Sequence, residues 1–419
     1  MSQATRILLA LAAGLALGIA AAAWTPGLAP AAANVADPIG ALWLNGLRMT
    51  IVPLLVALLV TGIAQTAEAA RAGLIAGRAL AWIVVLMTSS AILGAVLTPL
   101  FLAVAPMPEA SAAALRSALT TTAPVGEVPP FADFLRAIVP TNPISAAASD
   151  AILPLIIFTG VFAFAVTRLP PEPRTILTGF FSALADAMII VIEWVLKLAP
   201  IGVFALAFVV GARSGAAAFG AVLHYILLVS AVGVVVSLLA YPLAVIGGRL
   251  PLGRFAREIA PVQALAISTQ SSLACLPIML KKSEALGVPE RTAGIVLPMA
   301  VALLRATGPA MNLAVALYVA NWFGVEVGPP QYAVAIVAAV LTSMGSVSLP
   351  GQVSFVTAIA PICLLLGVPI EALALLIAVE VLPDIVRTLG NVMHDVAVTT
   401  TVSRQAGETH EIPQARPEP

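Results

Sequence analysis

Apolar runs long enough to cross a lipid bilayer recur along almost the whole chain, and nothing else constrains its fold as strongly. A spanning helix needs about 20 apolar residues. Such runs lie near 41–67, 79–105, 149–168, 176–210, 217–247, 292–323 and 370–402, with a shorter one at 331–345. The chain is 61% hydrophobic and 10% charged, well above the roughly 45–50% apolar content of soluble domains. These features predict an all-α polytopic membrane protein.

The opening "MSQATRILLALAAGLALGIAAAAW" has Arg6, an apolar run and small residues at Ala21–Ala23, the pattern of a signal peptide. Its apolar run approaches the length of a full span, so it reads as a first transmembrane helix. Basic residues fall mostly in alternate connections: Arg71 and Arg78, Arg168 and Arg174, Arg249, Arg254 and Arg257, Lys281 and Lys282, and Arg404. The positive-inside rule places these in the cytoplasm and the 106–148 connection outside, where Glu109, Glu127 and Asp133 outnumber Arg116 and Arg136. Basic and acidic residues balance at 20 each, which gives no sign of nucleic-acid binding. Cys275 and Cys363 sit in apolar stretches, against a disulfide framework or thiolate metal site. The polar, Pro-rich tail 405–419 reads as a disordered end.

Two segments interrupt the span pattern. "ALAISTQSSLACLPIMLKK" (264–282) and "SMGSVSLPGQVSFVTAIAPICLLLG" (343–367) each place a Ser/Gly-rich stretch and Leu-Pro between apolar runs too short to cross alone. This is the pattern of a re-entrant hairpin, and broken backbone at membrane depth is tolerated only where protein or a cavity surrounds it. Leu276-Pro277 is followed by Leu297-Pro298 and Arg305, and Leu349-Pro350 by Leu382-Pro383 and Arg387. Paired interruptions in corresponding places point to the midplane site of a transporter.

The last apolar run, 379–400, carries Glu380, Asp384, Arg387, Thr388, Asn391, His394 and Asp395. At 3.6 residues per turn all but His394 fall in one stripe, opposite Val381, Leu382, Val386, Leu389 and Val396. A charge at the bilayer centre costs about 2.5–3.5 kcal/mol even on lenient scales, so these groups must be paired or wet. An internal ladder, Asp384 with Arg387 or Thr388, is the structural alternative. An aspartyl protease does not fit, because Asp384 and Asp395 stand about 16 Å apart along one helix. Nor is there a nucleophile elbow for a Ser–His hydrolase with His224 or His394, so the chain is not expected to be an enzyme.

These motifs resemble the dicarboxylate/amino acid:cation symporter family, the bacterial and archaeal relatives of glutamate transporters. "LRMTIVPLLVALLVTGI", "PTNPISAAASDAILPLIIFTGVFAFAV" and "LAPIGVFALAF" resemble its second, fourth and fifth spans. "STQSSLACLP" resembles its serine-rich first hairpin, "SLPGQ" the tip of its second, and "DIVRTLGNVMHD" its last helix. The resemblance implies eight transmembrane helices plus two re-entrant hairpins, built as inverted repeats, in an inner-membrane homotrimer whose transport domains move like elevators. It assigns residues 1–78 and 106–213 to the scaffold, 79–105 and 214–258 to the transport domain, and 259–404 to the substrate-binding core.

By the same resemblance Arg387 binds the distal carboxylate of a small anionic substrate and Asp384 its ammonium. Thr388 and Asn391 hydrogen-bond its main-chain groups, Ser271 and Ser272 meet its α-carboxylate, and Asp395 is a Na⁺ ligand. The implied activity is import of aspartate or glutamate with Na⁺ or H⁺ and no cofactor. The alternatives are a C4-dicarboxylate symporter, or an anion channel or substrate sensor on the same scaffold. The sequence also departs from the family. Its seventh span carries Asn-Met-Asp-Gly-Thr where this chain has Leu304, Arg305, Ala306, Thr307 and Gly308. Its third-span sodium site has Tyr where Val85 stands, beside Thr88 and Ser89, and small residues where Gln352 and Val353 follow Pro-Gly. Arg305 in the middle of a span needs a counter-charge, with Glu380, Asp384 and Asp395 as partners, and Glu380 or His394 could carry a coupling proton.

Overall fold

The structure, a computed structural model, describes residues 3–71, 73–107, 112, 139–149, 151–214, 217–345 and 351–407. Most of the 106–148 connection, the tip of the second predicted hairpin at 346–350 and the tail beyond 407 lie outside the described residues. Among the described residues the regular elements are all helices. Six are long and apolar enough to cross a membrane: Thr5–Trp24, Ala29–Glu68, Leu74–Val104, Pro171–Lys197, Gly220–Gly247 and Glu290–Phe323. The polar last helix is not among them.

Some boundaries differ from those the apolar runs predict, for local reasons. The second helix begins at Ala29 rather than near 41, because the alanine-rich stretch before the apolar run favours helix by propensity. The 176–210 run is two helices, Pro171–Lys197 and Ala199–Ser214, divided at Leu198 just before Pro200, which cannot continue a helix. The 370–402 run opens with a short helix, Glu371–Leu376, then turns before the last helix, Val381–Ala406.

The chain divides into two compact units. One comprises Met1–Ala64, Ala91–Val232 and Pro309–Pro383. Within it the first helix, Gln3–Trp24, lies against Ala199–Ser214 so closely that a Cβ at Gly18 would strike the Phe208 carbonyl oxygen. A Cβ at Gly211 would likewise meet the Leu15 carbonyl oxygen. In lipid, such small residues let helix backbones pack by dispersion where no hydrophobic drive exists. The arms Pro329–Gly345 and Gly351–Leu365 also pack together in this unit.

The other unit comprises Gln65–Ser90, Gly233–Gly308 and Asp384–Pro419. Here Leu252–Thr269 and Leu276–Ala285 form a helix–turn–helix at the first predicted hairpin. Phe255, Ile259, Val262 and Ala266 are buried on the first arm, and their steps of four, three and four make one helical face. That face shares a core with Met279, Leu297, Val301, Val392, Met393, Val396 and Ala397. Hairpin, seventh-span half and last helix thus hold one another in place around the polar stripe.

Candidate functional site

The site forms where the interrupted seventh span meets the last helix. The first half, Glu290–Leu303, ends at Leu304, whose φ of −86° and ψ of 101° are extended. The helix resumes at Gly308. Pro309 accounts for the interruption, because it has no N–H to bond the Arg305 carbonyl four residues back and is well suited to the first turn of a new helix. The backbone freed by the break is satisfied from the last helix. The Thr307 N–H donates to Asn391 Oδ1 at 3.1 Å. Its hydroxyl lies 2.8 Å from that same oxygen and 2.9 Å from the Arg387 carbonyl oxygen. Gly390 permits the approach, since a Cβ there would collide with Ser237 and Thr307.

The polar stripe carries one ion pair and one further buried carboxylate. Arg387 Nη1 donates to Asp384 Oδ1 at 3.0 Å, with 4% of the arginine side chain and 13% of the aspartate exposed. This is the internal pair that the three-residue spacing allows, and it places a cation and an anion side by side. Asp395 is fully buried, and neither carboxylate oxygen has a hydrogen-bond partner. Arg305 lies half-buried in the break.

The last helix is buried on all sides from Gly390 to Ser403, while Leu382 near its start stays 45% exposed. Its hydroxyls meet this enclosure by bonding back along their own helix. Thr399 donates to the Asp395 carbonyl at 2.6 Å, and Thr400 and Thr401 each to the Ala397 carbonyl at 2.8 Å. His394 Nδ1 lies 2.9 Å from the Gly390 carbonyl, which can only accept, so this nitrogen carries the proton.

The remaining expected residues sit elsewhere. Glu380 precedes the last helix in the first-described unit, where it is buried and accepts from the Tyr225 hydroxyl at 3.1 Å. Ser271 and Ser272 lie in the first hairpin's turn, half-buried, with Ser271 Oγ accepting from the Ala274 N–H at 3.3 Å. Gln270 opens that turn in the left-handed region, at φ 50°, a conformation costing a side-chain-bearing residue on the order of 1–2 kcal/mol. His224 is a packing residue: its ring stacks on Tyr318 and its nitrogens reach Tyr318 Oη and the Ala105 carbonyl. Sequence reasoning missed Thr307 as a site residue. The available signal was a hydroxyl beside Gly-Pro in an otherwise apolar stretch.

A hard cation at Asp395 would need a shell of about six oxygens, to which the two unpartnered carboxylate oxygens of Asp395 could contribute. Asn391 Oδ1 and the Arg387 carbonyl accept from Thr307, and the Arg305 carbonyl accepts from the Gly308 N–H at 2.8 Å. The Asp395 carbonyl accepts from Thr399. Leu304 and Ala306 offer no side-chain oxygen, and Arg305 brings positive charge. Among the described residues no group of three His, Cys, Asp or Glu could hold a metal ion.

Comparison with known proteins covers nearly the whole chain. The model for the sodium:dicarboxylate symporter family matches residues 4–405. A proton/glutamate-aspartate symporter of Escherichia coli (strain K12) is 27% identical over 88% of this chain and 85% of its own length. A proton/sodium-glutamate symport protein of Bacillus caldotenax is 26% identical over 95% and 94%. A C4-dicarboxylate transport protein of Anaeromyxobacter sp. (strain K) is 28% identical over 91% and 86%.

Proposed function

Because this chain belongs to the sodium:dicarboxylate symporter family, we propose that it imports an acidic amino acid, aspartate or glutamate, by coupling to a cation gradient. It is a multi-pass inner-membrane protein, and its relatives are transporters. The observation that carries the substrate reading is the buried Arg387–Asp384 pair. An acidic amino acid brings a carboxylate for the guanidinium and an ammonium for the aspartate, so opening the internal pair leaves no buried charge uncompensated. Asn391 Oδ1 is held by Thr307, which leaves its amide N–H groups to donate to the substrate main chain beside Thr388. Ser271 and Ser272 complete the set from the hairpin turn.

The proposal includes the rest of the architecture that the resemblance implies: eight spans, two re-entrant hairpins in inverted repeats, and a trimer with elevator motion. C4-dicarboxylate transport is the second reading. It is favoured by the relatives of that name.

Asp384→Asn separates the two readings. With the carboxylate gone, L-aspartate should bind the purified chain at least about tenfold more weakly, while succinate binds as well or better. Isothermal titration with both solutes checks this. Equal losses for both would make Asp384 a structural residue and remove the basis for preferring an amino acid.

A further inference from the structure

We propose that the pocket where the first helix, the second helix and Ala199–Ser214 meet at their ends binds the headgroup of a phosphatidylethanolamine lipid. Arg213 holds its phosphate and Asp37 its ammonium. The site is separate from the polar stripe and does not depend on which substrate the chain carries.

The pocket has a volume of about 430 Å³, within the range of roughly 300–1,000 Å³ typical of small-ligand sites. Ala22, Ala29, Ala33 and Ala212 line much of it, and their short side chains leave the space open around Asn34 and Arg213. Its place is set by the chain. Thr5–Trp24 and Ala29–Glu68 are both long and apolar enough to cross a membrane, so the turn that joins them, 25–28, lies at a membrane surface. Trp24 and Leu28 flank that turn and are 83% and 68% exposed. So much apolar surface is costly in water, whereas tryptophan is at home at the level of the lipid headgroups. What meets this pocket is therefore a headgroup.

The charges choose among headgroups. Arg213 ends Ala199–Ser214, and Asp37 stands about two turns into the second helix. Arg213 Nη2 lies 3.9 Å from Asp37 Oδ2, with 24% of the arginine side chain and 39% of the aspartate exposed. That is an ion pair too long for a hydrogen bond, and a half-exposed pair of this kind holds little energy. A ligand carrying both charges can open it without stranding either. Phosphate oxygens match the planar guanidinium fork, and a primary ammonium brings N–H donors to the carboxylate. Phosphatidylcholine has no N–H to give Asp37. Phosphatidylglycerol has no cation and sets its phosphate beside Asp37 as a like charge.

The test reconstitutes the purified full chain in phosphatidylcholine nanodiscs doped equally with phosphatidylethanolamine and phosphatidylglycerol. Lipid still held after exchange into mild detergent is identified by native mass spectrometry. Phosphatidylethanolamine should be retained about tenfold over the other two, the usual worth of a charge-assisted hydrogen bond. Arg213→Gln should abolish that preference, and Asp37→Asn should let phosphatidylglycerol bind as well. Tm should be higher in discs containing phosphatidylethanolamine than in phosphatidylcholine alone, for wild type but not for Arg213→Gln. Equal retention of all three headgroups by the wild type, which needs no variant to read, overturns the proposal. So does a preference for phosphatidylethanolamine that survives Arg213→Gln. A chain that keeps no lipid yet stays oligomeric overturns it too, because a second copy then covers the pocket.

Discussion

Arg387→Ala is expected to abolish measurable binding of acidic substrates while leaving the helical content of the protein unchanged. The guanidinium is buried and ion-paired, and it is the arginine that the last helix contributes to the stripe. Deleting it strands both Asp384 and the incoming carboxylate. Removing one member of a buried charge pair costs about 2–5 kcal/mol, which is about 30-fold or more in affinity. Arg387→Lys should recover only part of the loss, because an ammonium keeps the charge but not the planar fork that matches a carboxylate. Titration calorimetry with L-aspartate, alongside far-UV circular dichroism, reads both outcomes. Wild-type affinity in Arg387→Ala would remove this residue from the site.

Asn391→Leu should damage the protein differently, by releasing the break from the last helix. The asparagine is 4% exposed, and its Oδ1 receives both the N–H and the hydroxyl of Thr307. Leucine is close in size but accepts nothing, so a buried backbone N–H loses its partner at a cost of about 1–3 kcal/mol. Both stability and substrate affinity should fall, since Arg305 and Thr307 ride on the same four-residue break. Asn391→Asp keeps the acceptor but adds a third carboxylate to a balanced set, so it should retain more stability than leucine and still bind substrate weakly. Thermal unfolding followed by tryptophan fluorescence distinguishes the two. Equal unfolding temperatures for Asn391→Leu and wild type would show that the Thr307 bonds do not hold the break.

Local chemistry made much of this legible in advance. The first hairpin follows from the Ser-rich and Leu-Pro residues of 264–282 between short apolar runs, whereas the apolar run 292–323 hid the break before Gly308-Pro309. The stripe from Asp384 to Asp395 follows from helical spacing alone. What stayed hidden depends on contacts between residues far apart in sequence. Thr307 meets Asn391 across 84 residues, and no local pattern announces that an asparagine in a substrate stripe also holds a broken helix together. Gly390 reads as an ordinary helix glycine until Ser237 and Thr307 are seen against it. Enclosure of the last helix beyond Asn391 was also invisible, because threonines that bond to their own backbone can be buried as readily as apolar residues. The division at Leu198 was readable from Pro200, but the hydropathy of the run concealed it.

Concentrative uptake is the property that distinguishes a coupled importer from a channel or a sensor built on the same helices. The direct measurement is accumulation of radiolabelled L-aspartate by proteoliposomes holding the purified chain, with an inward cation gradient imposed and then collapsed by ionophore. The account predicts saturable uptake that carries aspartate above its external concentration while the gradient lasts and that is lost in Arg387→Ala. Uptake that merely equilibrates aspartate across the membrane, unaffected by collapsing the gradient, would contradict it.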